Sequence, residues 1–158
     1  MIKIFNYALV LIFLFIFQLL FSDFLDINGI FPDLILIFII YISFRIPAFI
    51  LLWLAFFLGL MQDLIFSISL IGLSPLIKII FAFLAIKLVN YHRSLNSIML
   101  FILFSILITI GISFYDILSL FGVHSDSNLF YIYSFPKILY TLIIFIIVNF
   151  YYPLVNRQ

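Results

Sequence analysis

The chain has 158 residues, of which 68% are hydrophobic and only 8% charged, with a mean hydropathy of +1.47. So few polar residues cannot cover a soluble domain of this length, which makes it an all-α integral membrane protein and a single polytopic membrane domain over residues 1–158. A net charge of +1 excludes a nucleic-acid partner, which needs a basic surface, and the lack of cysteine excludes disulfides, thiol nucleophiles and thiolate-held metals.

A spanning helix needs about 20 predominantly apolar residues for a hydrocarbon core about 30 Å thick. Six stretches qualify: 4–21, 29–44, 47–66, 75–89, 98–121 and 135–155. The first follows Lys3 in the manner of a secretory signal, but its apolar run is too long and no small-residue cleavage site follows, so it reads as a retained span. The second and fourth are short, and the second could be partly re-entrant. Boundary chemistry supports the divisions. Asn28-Gly29 marks a turn before the second stretch and Pro47 opens the third. Ser74-Pro75 reads as an N-cap followed by a proline at the first helical position, and Ser134 with Pro136 reads similarly before the last span.

Threading these spans sorts the charges. All six acids (Asp23, Asp26, Asp33, Asp63, Asp116 and Asp126) fall on one side, with Lys78 and Lys137. Lys3, Arg45, Lys87, Arg93 and Arg157 fall on the other. The positive-inside rule makes the second side cytoplasmic and places both termini there.

Charges at membrane depth are costly and therefore informative. From Arg45 to Asp63 is 18 residues, about 27 Å of helix, and from Asn96 to Asp116 is 20 residues, about 30 Å. Asp63, Asp116 and Lys78 thus reach similar depth near the outer boundary. They read either as interfacial charges in contact with water or as an outer cluster with Lys78 between the two carboxylates. Asp33, after Pro32, reads as an acid in the first helical turn, where the macrodipole favours it. His92 and His124 fall in loops on opposite sides and cannot share a site. No metal-ligand set, phosphate clamp or catalytic constellation emerges, and no cofactor is implied. Gly59 and Gly111 suit close helix approach, and Gly72 suits a turn. Tyr131, Tyr133, Tyr140, Tyr151 and Tyr152 read as an interfacial belt at the two ends of the last span.

The run Phe31-Pro32-Asp33-Leu34-Ile35-Leu36, then Tyr41 and Arg45, then Leu58-Gly59-Leu60-Met61-Gln62-Asp63-Leu64, then Ile71-Gly72-Leu73, resembles the rod shape-determining protein MreD family. That family has a Pro-Asp pair opening the second span, a Gly-Leu-x-x-Asp pattern closing the next and a Leu-Gly step soon after; here Ile71-Gly72 stands at that step. Gln18 late in the first span also fits. The detailed likeness covers roughly residues 15–90, with Ser67-Ile68-Ser69 and Lys78 as departures.

The resemblance implies a non-enzymatic component of the bacterial cell-elongation machinery in the inner membrane. Its partners would be an MreC-like bitopic protein, with MreB on the cytoplasmic side and RodA with its class B penicillin-binding protein as the synthase under control. It also implies a six-helix fold like that of vitamin-transporter substrate-binding subunits. Pro32, Asp33, Gly59, Asp63 and Gly72 would then be packing and partner-contact positions, joined by Lys78 and Asp116 through their depth. Two other functions compete. A vitamin-type uptake subunit needs several convergent polar groups and small-residue faces on its first span, where only Ala8 is present. A lipid-modifying enzyme lacks its metal or phosphate motif.

Overall fold

A computed structural model of the chain describes residues 30–66, 72–91, 95–122 and 127–154, with side chains described outside 120–133. Within them lie five helices and no strand: α1 (Leu34–Ser43), α2 (Ala48–Phe66), α3 (Leu73–Asn90), α4 (Ser97–Gly122) and α5 (Ser127–Tyr151). The last four are long and apolar enough to cross a membrane. The expected span at 4–21, with Gln18, lies outside the described residues. So do Asp23, Asp26, His92, Arg93, His124, Asp126 and Arg157.

α1 is central. It touches all four other helices, and Ile35, Leu36, Ile37, Ile39, Ile40 and Ile42 are all buried. A helix that is apolar all round and enclosed by others needs no amphipathic stripe. With 10 residues it is about 15 Å long, half the hydrocarbon thickness. The expected span at 29–44 is therefore shorter than hydropathy indicates, because the helix does not begin until Leu34. The chain before it is non-helical, and Pro32 is fully buried. Non-helical backbone at membrane depth is tolerated only where protein satisfies its polar groups. Pro32 has no N–H to satisfy, and its carbonyl accepts from Leu34 N at 3.2 Å. The next N–H, that of Asp33, is bonded to Thr141.

α2 and α3 form the most extensive helix pair. Small residues allow it: Ala55 and Gly59 stand four apart on α2, and Ala55, Ala82 and Ala85 are fully buried. A Cβ placed on Gly59 would lie 2.5 Å from Pro75 Cα, so backbone meets backbone there. Gly111 fills a comparable role on α4, where an added Cβ would lie 3.1 Å from the Phe81 ring. Toward the other end of the bundle, Phe101 of α4 stacks on Phe145 of α5 at 5.2 Å and Phe44 packs on Phe104.

The outward faces are apolar. On α2, Phe49, Trp53, Phe57 and Met61 recur every fourth residue and are exposed, as are Ile98, Ile102, Ile106, Ile110 and Phe114 on α4. Such stripes on otherwise packed helices suit contact with lipid or with another membrane helix.

Two boundaries differ from expectation. Ser74 does not cap α3, which begins at Leu73 with Gly72 at the cap position. Pro136 lies inside α5, whose start is at Ser127. In a membrane bundle an interior proline is accommodated by its neighbours, so it is a weaker stop signal than in water. Tyr140 accordingly lies within α5, while Tyr151 and Tyr152 are exposed at its end as an interfacial belt requires.

Candidate functional site

One end of the bundle carries a polar network that joins every described helix. It starts where α1 starts. The Asp33 carboxylate accepts from Leu36 N at 3.2 Å, which makes Asp33 the N-cap of α1 rather than a first-turn residue. The Asp33 N–H donates to Thr141 Oγ1 on α5 at 3.2 Å, and the Thr141 hydroxyl donates to the Lys137 carbonyl at 2.8 Å. The other Asp33 oxygen pairs with Lys78 Nζ on α3 at 3.5 Å. Lys78 also donates to Gln62 Oε1 on α2. Lys137 closes the network on α4: its ammonium lies 3.2 Å from Asp116 Oδ1 and 5.1 Å from the Tyr115 ring centroid.

Asp63, next to Gln62 in sequence, makes its own contacts at the same end. Its Oδ2 accepts from Gly72 N at 2.7 Å and from Ser74 N at 3.2 Å. The first N–H groups of a helix have no partner within it. Asp63 therefore caps α3 from the neighbouring helix, and Pro75 brings no N–H of its own. Gly59 is one turn earlier on the same face of α2, so the Gly-Leu-x-x-Asp pattern is one device. The glycine lets the start of α3 approach, and the aspartate binds its free donors.

Gly72 completes the device with φ 108° and ψ −12°, a left-handed backbone that L side chains rarely adopt. Nothing lies within 4 Å of a Cβ built there, so the requirement is conformational and not steric. Gly72→Val is expected to lower the stability of the purified protein by about 1–2 kcal/mol, with Gly72→Asn milder, as read from thermal unfolding in detergent.

Of the seven candidate residues read from the sequence, Asp33, Asp63, Lys78 and Asp116 are charged and Gly72 donates its N–H to Asp63, while Pro32 and Gly59 adjoin these contacts. The grouping of Asp63, Lys78 and Asp116 with Lys78 between the carboxylates is nevertheless corrected. Lys78 pairs with Asp33, Asp116 pairs with Lys137, and Asp63 binds backbone. Lys78 and Asp63 are 3% and 0% exposed, so neither is an interfacial charge reaching water. Gln62, Thr141 and Lys137 join the network without being among the candidates drawn from the sequence. The signal for the first two was present: a lone amide and a lone hydroxyl within apolar spans.

Between Asp33, Gln62, Ser74, Lys78, Tyr115 and Lys137 is a crevice of about 10 Å³, room for about one water. A small-molecule pocket is commonly some 300–1,000 Å³, so this cluster offers no space for a vitamin-sized ligand. Among the described residues no group of three or more histidines or acids is placed to hold a metal ion.

No curated protein and no solved structure matches the chain. The family model described as rod shape-determining protein MreD matches residues 1–156, essentially the whole length. Together with the four membrane-length apolar helices, that match makes this bundle, with its Pro-Asp helix start and its Gly-Leu-x-x-Asp clasp, a multi-pass membrane protein belonging to the MreD family of rod-shape determinants.

Proposed function

We propose that the protein is a non-enzymatic scaffold of the cell-elongation machinery in the bacterial inner membrane. It would act by packing its helix faces against an MreC-like bitopic partner, in an assembly that includes MreB, RodA and a class B penicillin-binding protein. In this reading the segment at 4–21 supplies a sixth helix, both termini are cytoplasmic, and the polar network is at the outer end.

The observation that carries the proposal is the use made of the intramembrane charges. Asp33 caps α1 and pairs with Lys78, Asp63 caps α3, and Asp116 pairs with Lys137. Each is committed to holding helices together, which leaves apolar helix surface as the means of recognition. The second reading, a vitamin-type uptake subunit, gains nothing from a crevice of about 10 Å³.

The test is co-purification of the tagged protein with a co-expressed bitopic MreC-like protein, alongside cell shape on depletion. The expected result is stoichiometric recovery of the partner and rounding of depleted cells. Asp63→Ala removes a cap whose loss commonly costs about 0.5–2 kcal/mol and loosens the α2–α3 pair. Partner recovery with this variant is expected to fall several-fold. If no partner is recovered and depleted cells stay rod-shaped, the proposal fails.

A further inference from the structure

On the outer surface of α2 and α3 is an open groove of about 310 Å³ lined by Phe49, Leu52, Trp53, Phe56 and Ile79. Its aromatic wall is ordered by edge contacts, with Trp53 6.2 Å from both Phe49 and Phe56. The lining contains no Gly, Ala, Ser or Thr. A transmembrane helix seated here could not bring its backbone close in the way that Gly59 admits Pro75, and close approach is what helix association in lipid depends on. The groove suits a thin, flexible apolar chain.

The charges at its end identify the rest of that molecule. Arg45 lies just before α2, and Lys87 lies in the last turn of α3, so the antiparallel pair places both cations at the Phe49 end of the groove. Both are exposed, and the Lys87 ammonium lies 4.9 Å from the Phe83 ring centroid. The described acids (Asp33, Asp63 and Asp116) are all at the opposite end. An apolar trough that terminates at two cations, with no carboxylate beside them among the described residues, is complementary to an acyl chain carrying an anionic headgroup.

We propose that this groove binds an anionic glycerophospholipid, with an acyl chain along Trp53 and the headgroup phosphate at Arg45 and Lys87. The orientation proposed above makes it a lipid of the cytoplasmic leaflet. The site itself does not depend on that orientation, nor on the bitopic partner.

Trp53 is the only tryptophan of the chain, so fluorescence excited selectively at tryptophan reports on this groove alone. The full-length protein is reconstituted into phosphatidylcholine vesicles containing increasing fractions of brominated-chain phosphatidylglycerol or brominated-chain phosphatidylcholine. Each cation near an anionic surface adds about 1 kcal/mol, so with two of them half-maximal quenching is expected at a fraction of phosphatidylglycerol about thirty-fold lower than that of phosphatidylcholine. In the double variant Arg45→Gln/Lys87→Gln the two curves should coincide, with quenching retained. Coincident curves in the unaltered protein overturn the proposal. So does the absence of quenching by either lipid, which would mean that a second copy or another protein covers Trp53. If the double variant does not fold, the unaltered protein's two curves decide by themselves. Vesicles hold the protein alone, so failure here leaves the scaffold proposal standing, and failure of partner recovery leaves this site standing.

Discussion

Gly59→Leu is expected to abolish accumulation of folded protein, and Gly59→Ala to cost about 3 kcal/mol. A Cβ at this position would lie 2.5 Å from both Cα and N of Pro75 and 2.7 Å from the Ser74 carbonyl carbon. Comfortable carbon contacts are about 3.5–4.0 Å. The atoms encountered are all backbone, so no rotamer change relieves the clash, and α3 must move away from α2 by roughly 1 Å. That displacement is not local. Asp63, one turn on, holds Gly72 N at 2.7 Å and Ser74 N at 3.2 Å, and a shift of this size breaks the longer bond first. Overpacking and loss of the cap then add, because both act on one interface. The measurement is thermal unfolding of the detergent-solubilised protein, with membrane abundance for the leucine variant. A Gly59→Leu protein that accumulates and melts like the unaltered one would show that the two helices do not close on each other in this way. Gly111→Ala is a useful contrast. Its Cβ would meet the Phe81 ring at 3.1 Å, a side chain that can shift, so it should be tolerated far better.

How far this arrangement is legible in the sequence depends on what kind of information each feature needs. The stretches expected at 47–66, 75–89 and 98–121 correspond to Ala48–Phe66, Leu73–Asn90 and Ser97–Gly122, because continuous hydropathy and loop polarity are enough to define a span. Hydropathy extends the second stretch beyond its helix because Ile30 and Phe31 are as apolar as the residues that follow. Only the Asp33 cap of Leu36 N distinguishes them, and the N–H of Asp33 itself is held by Thr141, 108 residues away. The last span starts at Ser134, next to the expected 135, but its helix extends back to Ser127, because Pro136 stops a helix less readily inside a membrane bundle than in water. The polar network shows the same division. Spacing along the helices puts Asp63, Lys78 and Asp116 at one depth, but depth is one coordinate and pairing needs the rotation of each helix as well. Gln62 and Asp63 are neighbours in sequence, yet successive residues are separated by about 100° around a helix. Gln62 therefore meets Lys78, while Asp63 meets the turn at Gly72. No periodicity in an evenly apolar chain fixes that rotation.

Lys78→Met should destabilise the protein by about 3–5 kcal/mol, and the double variant Asp33→Asn/Lys78→Met should recover most of that loss. Lys78 is 3% exposed, and its ammonium has Asp33 and Gln62 as partners. Removing the cation alone leaves the Asp33 carboxylate in apolar surroundings with one oxygen uncompensated, and the penalty is largely that of the stranded charge. Asparagine at 33 removes the charge while keeping an oxygen for Leu36 N, so the cap of α1 survives. The choice matters because Asp33 has two roles, and alanine would remove both at once. A charge exchange, Asp33→Lys/Lys78→Asp, should fail even though the pair is formally restored, since lysine has no acceptor for Leu36 N. Thermal unfolding of the two single variants, the neutral double and the exchanged double separates these effects. If the neutral double variant is no more stable than Lys78→Met, the ion pair is not the source of the loss, and Lys78 would owe its place to Gln62 instead. If the pair is neutral in its effect on stability, as replaced buried pairs often are, its remaining contribution is registry: it ties α3 to the start of α1 and, through Thr141, to α5. In that case the neutral double variant would melt normally yet recover less of the bitopic partner, because α1 could rotate against the helices that enclose it.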